Sequence, residues 1–374
     1  MGLRTTTQNN FEATVNVLDS ANTVFVVPSF QRPFAWEEKH IEALRDDIIL
    51  ANSRQKSNNV SFHYLSPIHL VKICNPNDTI MDKYTDQKNP DIKALRHAGQ
   101  RGMFIDESGR PIDVYAIIDG QQRITTLFFI YMIYYQIKNI QFNFEITLPG
   151  GHRIPHIIQN PADDHQFMCQ IIDRLNRFGH SATVPDPGKQ SQKRLCKAVE
   201  AIQEWANSNT SDSLSNMNLL MSPRFSTVLV ELDSKYALTS FLTLNDRGKD
   251  LTVLEKLKSL MLEYDLNHVP PTQSLSHAIH SAFADLYQVL DNAVGVGLFS
   301  KGTAGDDEIA QLLSMYIRGG YHDEAQWQDG QNAYINFFHK ALKEAPAVNS
   351  SDPLIKGKTV TDLLREWLKA IREI

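Results

Sequence analysis

Tyr115-Ala116-Ile117-Ile118-Asp119-Gly120-Gln121-Gln122-Arg123-Ile124-Thr125-Thr126-Leu127 is the stretch whose reading decides the fold. Val114 to Ile118 is a short apolar, partly β-branched run, which reads as a buried strand. Asp119 and Gly120 break it. From Gln122 to about Ile137 the residues are long-chain or aromatic and nearly continuous, predicting a helix apolar on most of its circumference. Such a helix is buried against a sheet or other helices. A polar cluster, Asp119 to Arg123, therefore stands between a buried strand and a buried helix. Glycine lets the backbone turn without a Cβ clash, and the first helical N–H groups have no internal partners. With the positive end of the helix dipole they form a ready anion site. Arg123 can add a forked pair of donors to a phosphate. Asp119 can accept from the helix N–H groups or hold a divalent cation. The plainer alternative makes Asp119 an N-cap and Arg123 its salt-bridge partner. Five polar residues between segments too apolar for the surface weigh toward a ligand, because buried polar groups are costly without partners.

Length and composition set the bounds around this stretch. A chain of 374 residues predicts two domains. An apolar fraction of 42% and a charged fraction of 21% are those of an ordinary soluble globular protein. A net charge of −6 excludes a wholly basic nucleic-acid glove, so any DNA contact needs a local patch. Cys74, Cys169 and Cys196 lie far apart, which fits a reducing cytoplasm better than a disulfide framework or zinc ribbon. The first residues carry no signal-peptide core. The longest apolar run, Leu127 to Tyr135, falls well short of the ~20 residues a bilayer requires. A cytoplasmic protein without a membrane partner is expected.

Working outward along the chain, Val24 to Val27 predicts a strand ending at Pro28. Ser29 to Trp36 places Gln31, Arg32 and three large rings around Pro33, which fixes the backbone as a rigid loop. Phe34 and Trp36 read as core anchors and Arg32 as a site residue. Glu37 to Leu50 has helical spacing at Ile41, Leu44 and Ile48. Phe62 to Ile73 reads as a strand broken or kinked at Pro67. Asn75 to Pro111 reads as a long, irregular polar insertion. Its basic residues are diluted by Asp78, Asp82, Asp86 and Asp91, so it is expected to be solvated surface. Asn139 to Pro155 suggests a hairpin around Pro149-Gly150-Gly151. His152 and His156, with His165 beyond, hint at zinc, but Pro155 argues against a shared helical face, and a zinc site is not expected. Asp163 to Asn207 predicts two helices split by Gly179 to Gly188, Asn207 to Asn218 a loop, and Phe225 to Asp233 a second strong strand rejoining the sheet.

A second polar corner runs from Ala237 to Thr252, where a helix ends at Asn245 and Gly248 suits a left-handed turn. Thr252 and Glu255 form a capping box for the next helix, while Asn245 and Arg247 are harder to explain structurally. From Leu266 the pattern is helical throughout. Gly297 to Thr303 misses the phosphate-loop pattern, since its lysine precedes the second glycine and a helix stands where a strand is required.

Three stretches, Gln31 to Trp36, Ile118 to Leu127 and Phe241 to Thr252, together resemble the GmrSD N-terminal family over roughly residues 10 to 262. Asp306 to Glu308 resembles an acidic patch the family often carries. The resemblance implies an α+β fold, a small ParB/sulfiredoxin-like mixed sheet with helices spanning 1–264, with a polar insertion at about 75–111 and a helical one at about 160–220. An all-helical domain, 265–374, would follow. It implies an NTP-binding and hydrolysing subunit of a modification-dependent, type IV-like restriction or anti-phage defence system. Asp119, Gly120, Gln121, Gln122 and Arg123 would form the nucleotide motif, with Thr125 beside it. Gln31 and Arg32 would flank it, and Asn245 and Arg247 would close it. Phe30 and Phe34 stand where the family prefers tyrosines. Nothing resembles the family's C-terminal HNH nuclease, so cutting modified phage DNA would need residues beyond 374 or a partner subunit.

The mechanism expected is Mg²⁺-assisted hydrolysis of a nucleoside triphosphate. Helix N–H groups and Arg123 would hold the phosphates, Asp119 the metal or water, and Arg32 or Arg247 the developing charge. No general base is visible. Arg123→Ala is expected to abolish turnover and spare the thermal melt. Two other classes remain open: a non-hydrolysing reader of modified DNA that stacks a base on Phe34 or Trp36, and an antitoxin-like or scaffolding subunit.

Overall fold

Strand Pro111–Asp119 occupies the middle of the main sheet, and its sequence says why. It alternates at its start, with Ile112 and Val114 buried and Asp113 exposed, then buries Ala116, Ile117 and Ile118 consecutively. A strand buried on both faces has neighbours on both sides. The architecture comes from a computed structural model of the chain, which describes residues 12–13, 22–58, 63–100, 102–140, 144–208, 210–220, 225–233, 237, 240–241, 253–295, 340–343 and 358–373.

In chain order the strands are β1 (Glu12–Ala13), β2 (Thr23–Val26), β3 (His63–Ile73), β4 (Gly99–Gln100), β5 (Met103–Ile105), β6 (Pro111–Asp119), β7 (Glu145–Thr147), β8 (Arg153–Pro155), β9 (Ile157–Ile158) and β10 (Phe225–Leu232). Among the described residues the α-helices include α1 (Glu38–Asn58), α2 (Thr79–Lys83), α3 (Pro90–His97), α4 (Gln121–Ile137), α5 (Ala162–Phe178), α6 (Gln190–Ser208), α7 (Thr210–Leu219), α8 (Val253–His268), α9 (Ser276–Gly295) and α10 (Val360–Glu373). The main sheet runs β1-β10-β3-β6-β2-β9, with β5 and then β4 added on β6. It is mixed: β10 lies parallel to β3, β6 antiparallel to β3, and β2 parallel to both β6 and β9. Strands β7 and β8 make the separate hairpin that the Gly-Gly turn predicts.

Helix α4 is the core of the first unit. Every residue from Ile124 to Tyr135 is buried, and α1, α5, α6 and α7 pack their apolar faces into the same cluster as α4. Tyr131 and Tyr134 reach polar partners at its edge, donating to Leu220 O and Asn218 Oδ1.

Two segments depart from the sequence reading. Asn75 to Pro111 is ordered as α2, α3 and the β4–β5 hairpin. Asp78 caps α2 through Ile80 N, and Asn89 caps α3 with Pro90 at its first position, local signals that a search for hydrophobic periodicity overlooks. The Ser/Asn-rich segment expected as a loop is helix α7. Its helicity comes from tertiary packing rather than propensity: Met217 and Leu219 are buried, and Asn52 of α1 donates to Asn216 Oδ1 at 2.6 Å.

The chain forms two compact units, Met1–Ala237 and Leu238–Ile374. In the second, α8, α9 and α10 pack on one another. No helix of the described residues is long and apolar enough to cross a membrane. Asn245, Arg247 and Thr252, the Gly297–Thr303 segment and Asp306–Glu308 lie outside the described residues.

Candidate functional site

The corner between β6 and α4 is built around Gly120. Its φ is +97°, and a Cβ placed there would stand 3.1 Å from Ile68 Cγ1. Backbone conformation and the approach of β3 both require glycine. Gly120 is also the N-cap of α4, and a glycine has no side chain with which to cap the helix. Asp119 is therefore not the cap that the plainer reading makes it.

Asp119 instead faces β3. The β3–β6 register shifts between His69, opposite Asp119, and Leu70, opposite Ile117. Such a bulge re-aims side chains next to it. It brings Asp119 Oδ2 to 3.5 Å from His69 Nδ1, with the Asp119 side chain 39% exposed and the His69 side chain 14%. Burial pushes the Asp119 carboxyl up, but His69, the Arg123 guanidinium and the Gly120 N–H outweigh it. They hold the carboxyl below the usual carboxylate range, so it is charged at neutral pH. Sequence reasoning missed His69, because a histidine in an apolar strand reads as core.

Arg123, one turn into the motif, crosses to β3, where Nη1 donates to Ser66 O at 2.9 Å and Pro67 O at 3.4 Å. Pro67 does not end β3, which continues through it to Ile73.

The two glutamines fasten the proline loop to the helix. Gln122 Oε1 accepts from Ala35 N at 2.8 Å and Trp36 N at 3.3 Å, while its Nε2 donates to Pro33 O at 3.3 Å. Gln121 Nε2 donates to Arg32 O at 3.0 Å. Gln31, from the loop, donates back to Ile117 O of β6. The partners of these three amides are thus backbone groups, and the loop that carries Arg32 is locked against the corner. Thr125, one turn further on, donates to Gln121 O and accepts from Gln159 Nε2 at 2.7 Å. Of the residues the sequence singles out, Gln31, Arg32, Asp119, Gly120, Gln121, Gln122, Arg123 and Thr125 converge here. Asn245 and Arg247 lie outside the described residues.

Phe34 is buried and Trp36 half-buried, the latter stacked on His40. Behind Phe34 lies a small cavity lined by Thr125, Gln159, Asp164 and Gln192. Asp164 is 7% exposed and accepts from Gln192 on one oxygen, while its Oδ2 has no hydrogen-bond partner among the described residues. Burial pushes its carboxyl up to about 6.

A second polar cluster joins α3 to α5. His165 Nε2 stands 2.7 Å from Asp91 Oδ2, His152 Nε2 2.8 Å from Asp91 Oδ1, and Cys169 Sγ 3.6 Å from His165 Nε2. The atoms of Asp91, His165 and Cys169 have ligand-like spacing. The hydrogen bonds argue against a metal, however. His165 Nδ1 accepts from Gln159 N at 3.2 Å, so Nε2 carries the proton and donates to Asp91. Burial also pushes the Cys169 thiol up to about 12. His156 is elsewhere, its Nδ1 on Thr23 O at 2.7 Å.

Residues 15–262 match the family described as the GmrSD restriction endonuclease N-terminal domain. The chain belongs to that family. GmrSD membership ties the protein to restriction and phage defence, and implies DNA as the eventual substrate and a nuclease domain as the partner. A comparison with curated proteins gives no match.

Proposed function

We propose that the protein is the nucleotide-binding and hydrolysing component of a modification-dependent, type IV-like restriction system. The observation that supports this best is a convergence at one corner: a helix N-terminus with glycine as its N-cap, a charged and partly exposed Asp119, and Arg123, with the Arg32 loop clamped alongside. N–H donors at a helix start, a carboxylate and guanidinium groups are the parts phosphoryl transfer uses. A single carboxylate suits Mg²⁺, which keeps several waters and completes its shell with substrate phosphates. When bound, the metal would neutralise phosphate charge. Asp119 would hold it, the first turn of α4 would bind the phosphate oxygens, and Arg123 and Arg32 would face the developing charge. Any role for Asn245 and Arg247 rests on the family motif alone.

The alternative of a modified-DNA reader that does not hydrolyse nucleotide loses one of its two stacking rings, since Phe34 is buried. Phosphate release from each of the four NTPs, with and without modified DNA, tests the proposal. Turnover that requires Mg²⁺ and disappears in Asp119→Asn and Arg123→Lys supports it. DNA binding with no NTP binding or turnover would favour the reader.

A further inference from the structure

We propose that His69 is a positioning residue, which fixes the Asp119 carboxylate so that its other oxygen can receive a divalent cation. The inference rests on the nucleotide-site reading above and adds to it a residue that the family motif does not contain.

Three observations carry it. The first is register: His69 lies directly across the β3–β6 ladder from Asp119, at the point where the ladder bulges. The second is an orphaned atom. His69 Nδ1 is buried and has no hydrogen-bond partner among the described residues, and its charged neighbour is Asp119 Oδ2 at 3.5 Å. A buried polar atom without a partner calls for an explanation, and 3.5 Å is longer than a formed hydrogen bond. Contacts of this kind tighten as the catalytic complex forms. The third is that three residues of β3 serve both charged groups of the corner. Ser66 and Pro67 supply carbonyls to Arg123, and His69 faces Asp119. The strand thus sets the spacing between the carboxylate and the guanidinium.

In this arrangement Nδ1 donates to Oδ2 and stops the carboxylate from rotating, while Gly120 N–H helps hold it from the helix side. Outer partners of metal-binding carboxylates typically change metal affinity by ten- to a hundredfold.

The test compares wild type with His69→Leu, which keeps bulk and loses the donor, and His69→Asn, whose amide nitrogen can donate from near the Nδ1 position. Mn²⁺ binding is followed by electron paramagnetic resonance in the presence of non-hydrolysable analogues of the four NTPs. Analogue binding in EDTA and thermal melting are measured in parallel. His69→Leu is expected to weaken Mn²⁺ binding about ten- to a hundredfold, with analogue binding in EDTA unchanged and His69→Asn close to wild type. Wild-type Mn²⁺ affinity in His69→Leu, or a His69→Asn as weak as His69→Leu, overturns the role of His69 and leaves the nucleotide site standing. Failure of the wild type to bind Mn²⁺ with any analogue removes both.

Discussion

Replacing Gly120 by alanine tests the corner most directly, because its cost can be worked from two separate sources. The residue sits at φ +97°, and a left-handed backbone costs an L-residue about 1–2 kcal/mol. The new Cβ would meet Ile68 Cγ1 at 3.1 Å, with Cγ2 at 3.5 Å and Cα at 3.6 Å. Ile68 is 1% exposed and has little room to retreat, and overpacking of this kind adds roughly 1–3 kcal/mol. The sum is about 2–5 kcal/mol. For a unit the size of Met1–Ala237, each kcal/mol lowers Tm by about 2–4 °C, so the melt should fall by roughly 4–20 °C. Urea unfolding of Gly120→Ala, Ile68→Ala and the double variant separates the two sources. In the Ile68→Ala background the alanine should cost only the backbone share, about 1–2 kcal/mol. Gly120→Asn, which tolerates positive φ, should fall between alanine and wild type. A Gly120→Ala protein as stable as wild type would refute the reasoning. An undiminished cost in the Ile68→Ala background would refute the steric half.

Other outcomes follow from the same geometry. Arg123→Ala removes the donor to Ser66 O and Pro67 O, so it should abolish turnover and also lower stability by about 1–2 kcal/mol; an unchanged melt would mean the bridge to β3 contributes nothing. Gln122→Ala leaves Ala35 N and Trp36 N without their acceptor, and their amides should exchange faster by hydrogen exchange while those of β6 do not. The Asp164 carboxyl, raised to about 6 from 3.8, binds a proton more tightly folded than unfolded. Stability therefore falls as pH rises from about 4 to 6, by up to about 3 kcal/mol. Asp164→Asn should flatten that window and stabilise the protein above pH 6, and a chemical-denaturation series in pH that shows no difference would refute the assignment.

The sequence made the central strand and helix legible because Val114–Ile118 and Ile124–Tyr135 are apolar beyond what any surface element tolerates. Motif spacing also located Asp119 to Arg123 and the proline loop. What each side chain touches was not legible. Gln31, Gln121 and Gln122 have residue types that suit a ligand, and only the fold reveals that each also bonds loop or strand backbone. The pairing of His69 with Asp119 depends on β3 lying antiparallel beside β6 and on a bulge, neither of which leaves a periodic trace. Helix α7 was hidden for a different reason. Its Ser/Asn composition favours turns, and packing against α1 and α4 overrides that preference.

The clamping of the proline loop has a consequence for affinity. Because Gln121 and Gln122 grip the carbonyls and amides of Arg32 to Trp36 directly, the loop is ordered before anything arrives. A ligand at the corner need not supply the ordering entropy of those residues, a saving of preorganisation that shows as tighter binding. Substituting either glutamine should thus weaken ligand binding through the added disorder of the free state.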